Sequence, residues 1–310
     1  MPRPAAGPLG FYARSVGHAA AMRARTWLDR PQRYRIGRYA VTLPPAHRLP
    51  WFQDLFPTYD RYAASLLQQL LSGSRTPLLV DVGANVGDTT LLALDAVPQL
   101  HVVAVEGDAE FTSYLRDNTR QVASRVTVVD RFLSVRDQRP LQYRGNSSTG
   151  GFVPATDGDP LPMPTGLDLT VTELLADADR HDVVVWKSDT DGLDLTLLEQ
   201  DWDIVLSTCD VVWFEWDPFL DLGGPDLLRR TADAIAATDR VVLVHDNLGR
   251  RLVTTPAPGA RDVLLGLTSW LGEPSVPGET AYLDVWLVSP RLARRSATAA
   301  SGWELGPATP

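Results

Sequence analysis

The sequence predicts an α/β fold in which a seven-stranded, mostly parallel sheet carries helices on both faces. Three observations predict it: recurrent short valine-rich runs, helical periodicity between most of them, and a polar residue closing most runs. The runs are Pro77 to Val82, His101 to Val105, Arg125 to Val129, Asp182 to Trp186, Asp210 to Phe214, Arg240 to Val244, and Tyr282 to Val288. Apolar runs of this kind suit strands buried on both sides, and the intervening Ala109 to Val122 and Leu227 to Ala237 repeat at helical spacing.

Upstream, Tyr34 to Leu43 suggests a short hairpin ended by Pro44 and Pro45. Thr58 then reads as an N-cap before Tyr59, Tyr62, Ala63, Leu66, Leu67, Leu70 and Leu71, an apolar helical stripe ended at Ser72 to Ser74. The expected division is an extension of basic arm, hairpin and helix over 1–75, one domain over 76–290, and a structureless tail over 291–310. Within the domain, 131–180 interrupts the alternation. Gly145 to Gly151 and the proline-rich Pro154 to Pro164 mark it as loop, a candidate substrate lid, before a helix starting near Thr170 or Thr172.

Composition bounds the function. At 310 residues and 44% hydrophobic, the chain has material for one large core. Cys209 is the sole cysteine, so neither an internal disulfide nor a cysteine-rich metal site is available. No apolar run reaches the roughly 20 residues of a membrane span, and no secretory signal is evident, so a cytoplasmic location is expected. The net charge of -9 argues against general nucleic-acid binding, although residues 1–48 hold nine arginines against Asp29 alone, which reads as a solvated basic arm. Of 29 basic residues, 28 are arginine and one is Lys187. A lone lysine in so arginine-biased a chain is either chance or a place that needs a compact ammonium.

The glycine-rich loop Asp81-Val82-Gly83-Ala84-Asn85-Val86-Gly87, followed by Asp88, Thr89 and Thr90, follows the first strand of the domain, where open α/β sheets bind ligands. Gly83 and Gly87 permit tight turns and close approach, and Thr89 opens the next helix. Glu106, followed by Gly107, closes the next strand 23 residues after Gly83, where a carboxylate can accept both hydroxyls of an adenosine ribose. A dinucleotide site shares these two features. Here the pattern is Gly-x-Asn-x-Gly, and Asp81 precedes it; a carboxylate disfavours a pyrophosphate and suits the ammonium of a methionine moiety. S-adenosylmethionine is therefore the expected cofactor. NAD-dependent oxidation and a non-catalytic cofactor-binding role are the alternatives.

The residues at 81–90, Val105 to Asp108, Lys187 to Asp194, and more weakly Val244 to Gly249, resemble the FkbM family of methyltransferases over about residues 55–290. Asp191 stands where that family more often has glutamate, and Gly107 where it more often has proline. The resemblance implies a class I, Rossmann-like methyltransferase fold. It also implies O-methylation of a hydroxyl on a natural product or sugar, with a small or glycosylated acceptor; N-methylation is a further alternative.

Methyl transfer to a hydroxyl needs alignment and a base. Asp189 is the first candidate for base, with Lys187 steering the acceptor oxygen. His245 is the alternative base, and reads equally as a histidine that closes a strand. Asp191, Glu215, Trp216 and Asp246 are candidate acceptor contacts, with Phe219 beside them. For Glu215 an ordinary loop-facing or helix-facing charge is the competing reading. Asp189, Asp191, Asp194 and Asp246 together raise a magnesium site, against which Asp191-Gly192 reads as a turn and Asp194 as a helix start; no metal is assigned.

Overall fold

The computed structural model describes residues 8–136, 141–145, 148–154, 169–273 and 280–299. The first described element is helix α1 (Pro8–Trp27), its described side chains largely exposed, followed by the hairpin β1 (Gln32–Ile36) and β2 (Tyr39–Leu43). Two helices follow, α2 (Leu49–Leu55) and α3 (Arg61–Leu70). Thr58 does not cap α3: Asp60 holds the N-cap position in a left-handed conformation, and the Thr58 hydroxyl donates to the Leu248 carbonyl.

The domain then alternates β3 (Pro77–Val82), α4 (Asp88–Ala96), β4 (His101–Val105), α5 (Ala109–Thr119) and β5 (Val126–Val129). In the interrupting segment lie a hairpin, β6 (Leu141–Gly145) and β7 (Gly150–Pro154), and the short α6 (Val171–Leu174), which starts at a Thr170–Glu173 capping box. The proline-rich stretch beyond Pro154 is outside the described residues. Next come β8 (Val183–Ser188), α7 (Asp194–Thr208), β9 (Val211–Trp216), α8 (Gly224–Ala236), β10 (Val241–Asp246), β11 (Arg251–Pro256), α9 (Ala260–Leu271) and β12 (Leu283–Val288). Where a structureless tail is expected from 291, the chain forms α10 (Pro290–Ala299); residues 300–310 are outside the described residues.

The main sheet has eight strands rather than seven, in the order β11-β10-β12-β9-β8-β3-β4-β5. The added one is β11, antiparallel on the edge of β10, and β12 runs antiparallel between β9 and β10. All other pairings in the sheet are parallel.

Period-two alternation sends each strand's side chains to two cores. Leu78, Val80 and Val82 face the side covered by α6, α7, α8 and α9, with Trp186, Phe214, Trp216, Val244 and Val285. Leu79, Val185, Trp213, Leu243 and Trp286 face the side covered by the hairpin, α3, α4 and α5. On that second side the alternation ends in polar residues: Asp81, Lys187, Glu215, Asp284 and His245 each lie two residues from one of these apolar neighbours. Buried Asn118 of α5 fastens the hairpin to the glycine loop, its amide donating to Thr42 and Val86 carbonyls and its oxygen accepting from Thr42 N.

Candidate active site

A cavity of about 490 Å³ opens at the C-terminal ends of the parallel strands. It is lined by the glycine loop, Glu106 and Gly107 after β4, Phe132, Tyr143 and Phe152 beside them, Lys187, Asp189 and Asp191 after β8, and Glu215 on β9. The extension contributes His47, Phe52, Tyr59 and Asp60, and the β10 and β12 ends contribute Asn247, Tyr282 and Asp284.

The glycine loop is shaped by contacts as well as torsions. Gly83 has φ of 74°, and a Cβ there would overlap the Asp189 carbonyl oxygen. Asn85, with φ of 50°, occupies the left-handed region that asparagine tolerates, and its Nδ2 donates to the Ser148 carbonyl of the hairpin loop at 2.9 Å. Ala84 is buried in the core beneath, and of Asp88 and Thr89, which open α4, both line the cavity.

Glu106 is buried, and its two carboxylate oxygens accept from Asn85 N at 2.9 Å and Asp108 N at 2.8 Å. Burial outweighs these bonds and raises its pKa to about 7. Each oxygen retains a lone pair for a further donor, so the geometry suits a pair of vicinal hydroxyls. Alongside, Phe132, Tyr143 and Phe152 form a three-ring cluster with centroids 5.2–5.5 Å apart, and Gly107 lies directly under the Phe132 ring. A flat aromatic ligand fits beside such a box.

Asp81 has a different role from the expected one. It is fully buried, does not line the cavity, accepts the Thr90 hydroxyl at 2.6 Å and pairs with the Lys187 ammonium at 3.0 Å. Its charge is therefore neutralised from within and is not offered to a ligand ammonium. Lys187 donates also to the Gly83 carbonyl at 3.2 Å and lies 3.6 Å from Asp189. Burial opposes its charge, but Asp81 and Asp189 more than compensate, and the lysine stays protonated. With its ammonium so committed, Lys187 braces the strand end instead of reaching an acceptor oxygen. Asp189 is the half-exposed member, its side chain 53% accessible, and lines the cavity.

Asp191, at φ of 49°, also lines the cavity; burial and the nearby Asp189 raise its pKa to about 7, and the β7 backbone packs against it at Gly151. Three other expected residues lie elsewhere. His245 is stacked on Tyr62 with centroids 4.5 Å apart, outside the cavity lining, and burial lowers its pKa to about 4, so it is neutral and screened from the site. Trp216 points to the opposite face of the sheet, where its indole donates to the Thr268 hydroxyl. Asp246 faces that side too and closes a turn, accepting from Leu248 N and Arg250 N and pairing with the Arg250 guanidinium. Phe219 is 62% exposed and does not line the cavity. Asp194 begins α7 and accepts from Thr190 N at 3.1 Å, so the four aspartates considered for magnesium do not converge, and among the described residues no group of three ligating side chains does.

Sequence reasoning missed Asp60, Tyr282 and Asp284 as lining residues, placed Tyr59 in the apolar stripe of a helix, and favoured core over ring stacking for Trp213. Trp213 reads as core because its run is apolar, and its other face is indeed core: it stacks on Trp286 at 4.2 Å, while its Nε1 donates to Asp284 at 3.0 Å.

No family model and no curated protein matches the chain. Among solved structures, a human methyltransferase 10 domain containing protein aligns with 90% of this chain and 97% of its own at 9% identity and a TM-score of 0.46. An O-methyltransferase from Bacillus cereus in complex with SAH covers 75% and 81% at 14% identity and 0.38. The O-methyltransferase TomG from Streptomyces achromogenes, in complex with SAM, covers 73% and 79% at 15% identity and 0.38. Scores at this level leave the activity to be argued from the site itself.

Proposed function

We propose that the chain is an S-adenosylmethionine-dependent methyltransferase of the class I, Rossmann-like type, acting on a hydroxyl of a small natural product or sugar. The observation that carries this reading is Glu106, buried at the end of the second parallel strand and held by two backbone N–H groups between the glycine loop and the aromatic box. Glu106 would hold the ribose hydroxyls, Phe132, Tyr143 and Phe152 the adenine, and the Gly83 to Thr89 loop the methionine end. When bound, the cofactor supplies an electrophilic methyl group.

The sheet supports the choice of nucleoside. A dinucleotide-binding sheet runs 3-2-1-4-5-6, whereas here β12 is slotted antiparallel between the fifth and sixth strands, β9 and β10. The resemblance of the glycine loop and the Lys187 to Asp194 segment to FkbM methyltransferases points the same way.

The chain's own chemistry is that of alignment and proton removal. Asp189, accessible from the cavity, takes the proton from the acceptor hydroxyl, and Lys187 behind it, 3.6 Å away, holds that carboxylate in place. The aromatic and carboxylate walls orient the acceptor, which is where most of the rate acceleration of an in-line displacement arises.

Calorimetry with S-adenosylmethionine, S-adenosylhomocysteine and NAD tests the reading. The two adenosyl ligands are expected to bind one per chain, and Glu106→Ala to weaken the homocysteine form at least tenfold, an effect on the order of 1.4 kcal/mol or more. Binding of NAD alone would overturn the assignment. Mass spectrometry and NMR of a methylated product place the new methyl on oxygen or nitrogen.

A further inference from the structure

The wall of the cavity formed by β8, β9, β12 and the start of α3 is crowded with carboxylates. Glu215 and Asp284 stand directly opposite each other in the β9–β12 ladder, and both line the cavity. Side chains opposite one another in such a ladder share a face, and like charges in that position repel. Asp189 follows β8, and Asp60 reaches the same space from its left-handed turn before α3.

Donors for these charges are few. Asp284 accepts from Trp213 Nε1, but Glu215, only 6% exposed, receives no hydrogen bond or ion pair from any described residue. Lys187 is a cation whose charge reaches Asp60 and Asp284, but its ammonium is held beneath the surface by Asp81 and the Gly83 carbonyl, and the member of the wall it pairs with, at 3.6 Å, is Asp189. Burial and the neighbouring acids Asp189, Asp194, Asp191 and Asp217 push the Glu215 pKa well up. A buried carboxylate without a partner is costly, and the arrangement persists in proteins where a ligand supplies the counter-charge. A neutral hydroxyl could donate one hydrogen bond here but would leave the repulsion between Glu215, Asp284 and Asp60 in place. Around the same space Tyr59, Tyr282 and Trp213 present aromatic rings, surfaces that favour a cation.

We propose that this wall recognises a protonated amine on the methyl acceptor, with Glu215 and Asp284 as its charged partners, so that the substrate is an amino-bearing polyol such as an amino sugar or aminocyclitol. The inference rests on the methyltransferase reading for the identity of the second ligand. It adds the charge that ligand carries.

The test is calorimetry on the full chain saturated with S-adenosylhomocysteine, at neutral pH and low salt. The probes are kanamycin A and its fully N-acetylated form, which has the same hydroxyls and no cation. The amine form is expected to bind at least tenfold more tightly, and Glu215→Gln to weaken it five- to tenfold while leaving the affinities of the acetylated form and of S-adenosylhomocysteine unchanged. That last affinity also reports that the variant is folded; should it fail to fold, Asp60→Asn is expected to show the same selective loss. Equal affinity for the two probes, or binding of neither, overturns the proposal. So does a parallel loss of S-adenosylhomocysteine affinity in Glu215→Gln, which would give these carboxylates to the cofactor's own ammonium. Failure of the unaltered chain to bind S-adenosylhomocysteine counts instead against the methyltransferase reading, and the same two probes titrated into the free protein still decide the charge selectivity of the wall.

Discussion

Lys187 shows at the scale of one residue how a compositional oddity becomes a structural requirement. Its ammonium sits in a buried space bounded by Asp81 and the Gly83 carbonyl, with Asp189 on the open side. Lys187→Met would strand the fully buried Asp81 carboxylate without a counter-charge, at about 3–5 kcal/mol of stability. Lys187→Arg should recover little of this, because the planar fork does not fit where a compact ammonium does. In the double variant Asp81→Leu/Lys187→Met the buried charges are gone together and most of the loss is expected to return. Urea denaturation of the parent, Asp81→Leu, Lys187→Met and the double variant as a cycle, with Lys187→Arg measured beside them, checks this. A single variant Lys187→Met as stable as the parent would show that the pair is not buried in solution.

At the scale of elements, the glycine loop depends on β8 as much as on β3. Gly83 is required twice over, by its positive φ and by the Asp189 carbonyl that occupies the place of a side chain. Gly83→Ala is therefore expected to push the β3 and β8 loops apart, with a cost on the order of 2–3 kcal/mol and loss of S-adenosylhomocysteine binding beyond detection. Thermal denaturation and calorimetry on the same sample measure both; retention of binding would mean that the loop can move away from Asp189 without harm. The turn was readable from the glycines, since their spacing after an apolar run has few other uses. The approach of Asp189 was not, because it is a contact between segments more than 100 residues apart.

At the scale of the whole molecule, the cavity couples charge to stability. Burial and neighbouring acids raise the pKa of Asp191 and Asp194 to about 7, burial raises Glu106 to about 7, and burial raises Asp284 to about 6. Over the interval between the ordinary carboxylate range and these values the folded chain binds more protons than the unfolded one. The stability they contribute is full below that ordinary range and is lost as pH rises through 6 to 7. His245, lowered to about 4 by burial, acts in the opposite sense as pH falls below its ordinary value, but is outnumbered. The ligand-free protein should thus melt at a higher temperature at pH 5.5 than at pH 8. Glu215→Gln should raise the pH 8 value and flatten the slope, because it removes the carboxylate that has no partner. Scanning calorimetry across pH 5–8 decides the matter, and a flat or inverted profile would contradict the charge picture of the cavity.

What the sequence determined by itself was the alternation of strands and helices, the seven apolar runs, the glycine loop and Glu106, because each is written in local spacing that one strand-turn-helix unit enforces. The eighth strand was not legible: β11 is an exposed edge whose residues, Arg251 to Pro256, carry no buried run. Nor was the fate of the polar residues at the strand ends. In strands buried on both sides, apolar residues fill both parities, so the pattern does not tell which face a terminal charge takes. Tertiary structure decided it. Glu215 and Asp284 fall on the face that opens into the cavity, His245 shares that face but lies behind Tyr62, and Trp216 and Asp246 turn to the other. The lone lysine and the leading acid were both visible in the sequence, but that each exists for the other depends on β3 and β8 lying side by side, with Asp81 and Lys187 in register.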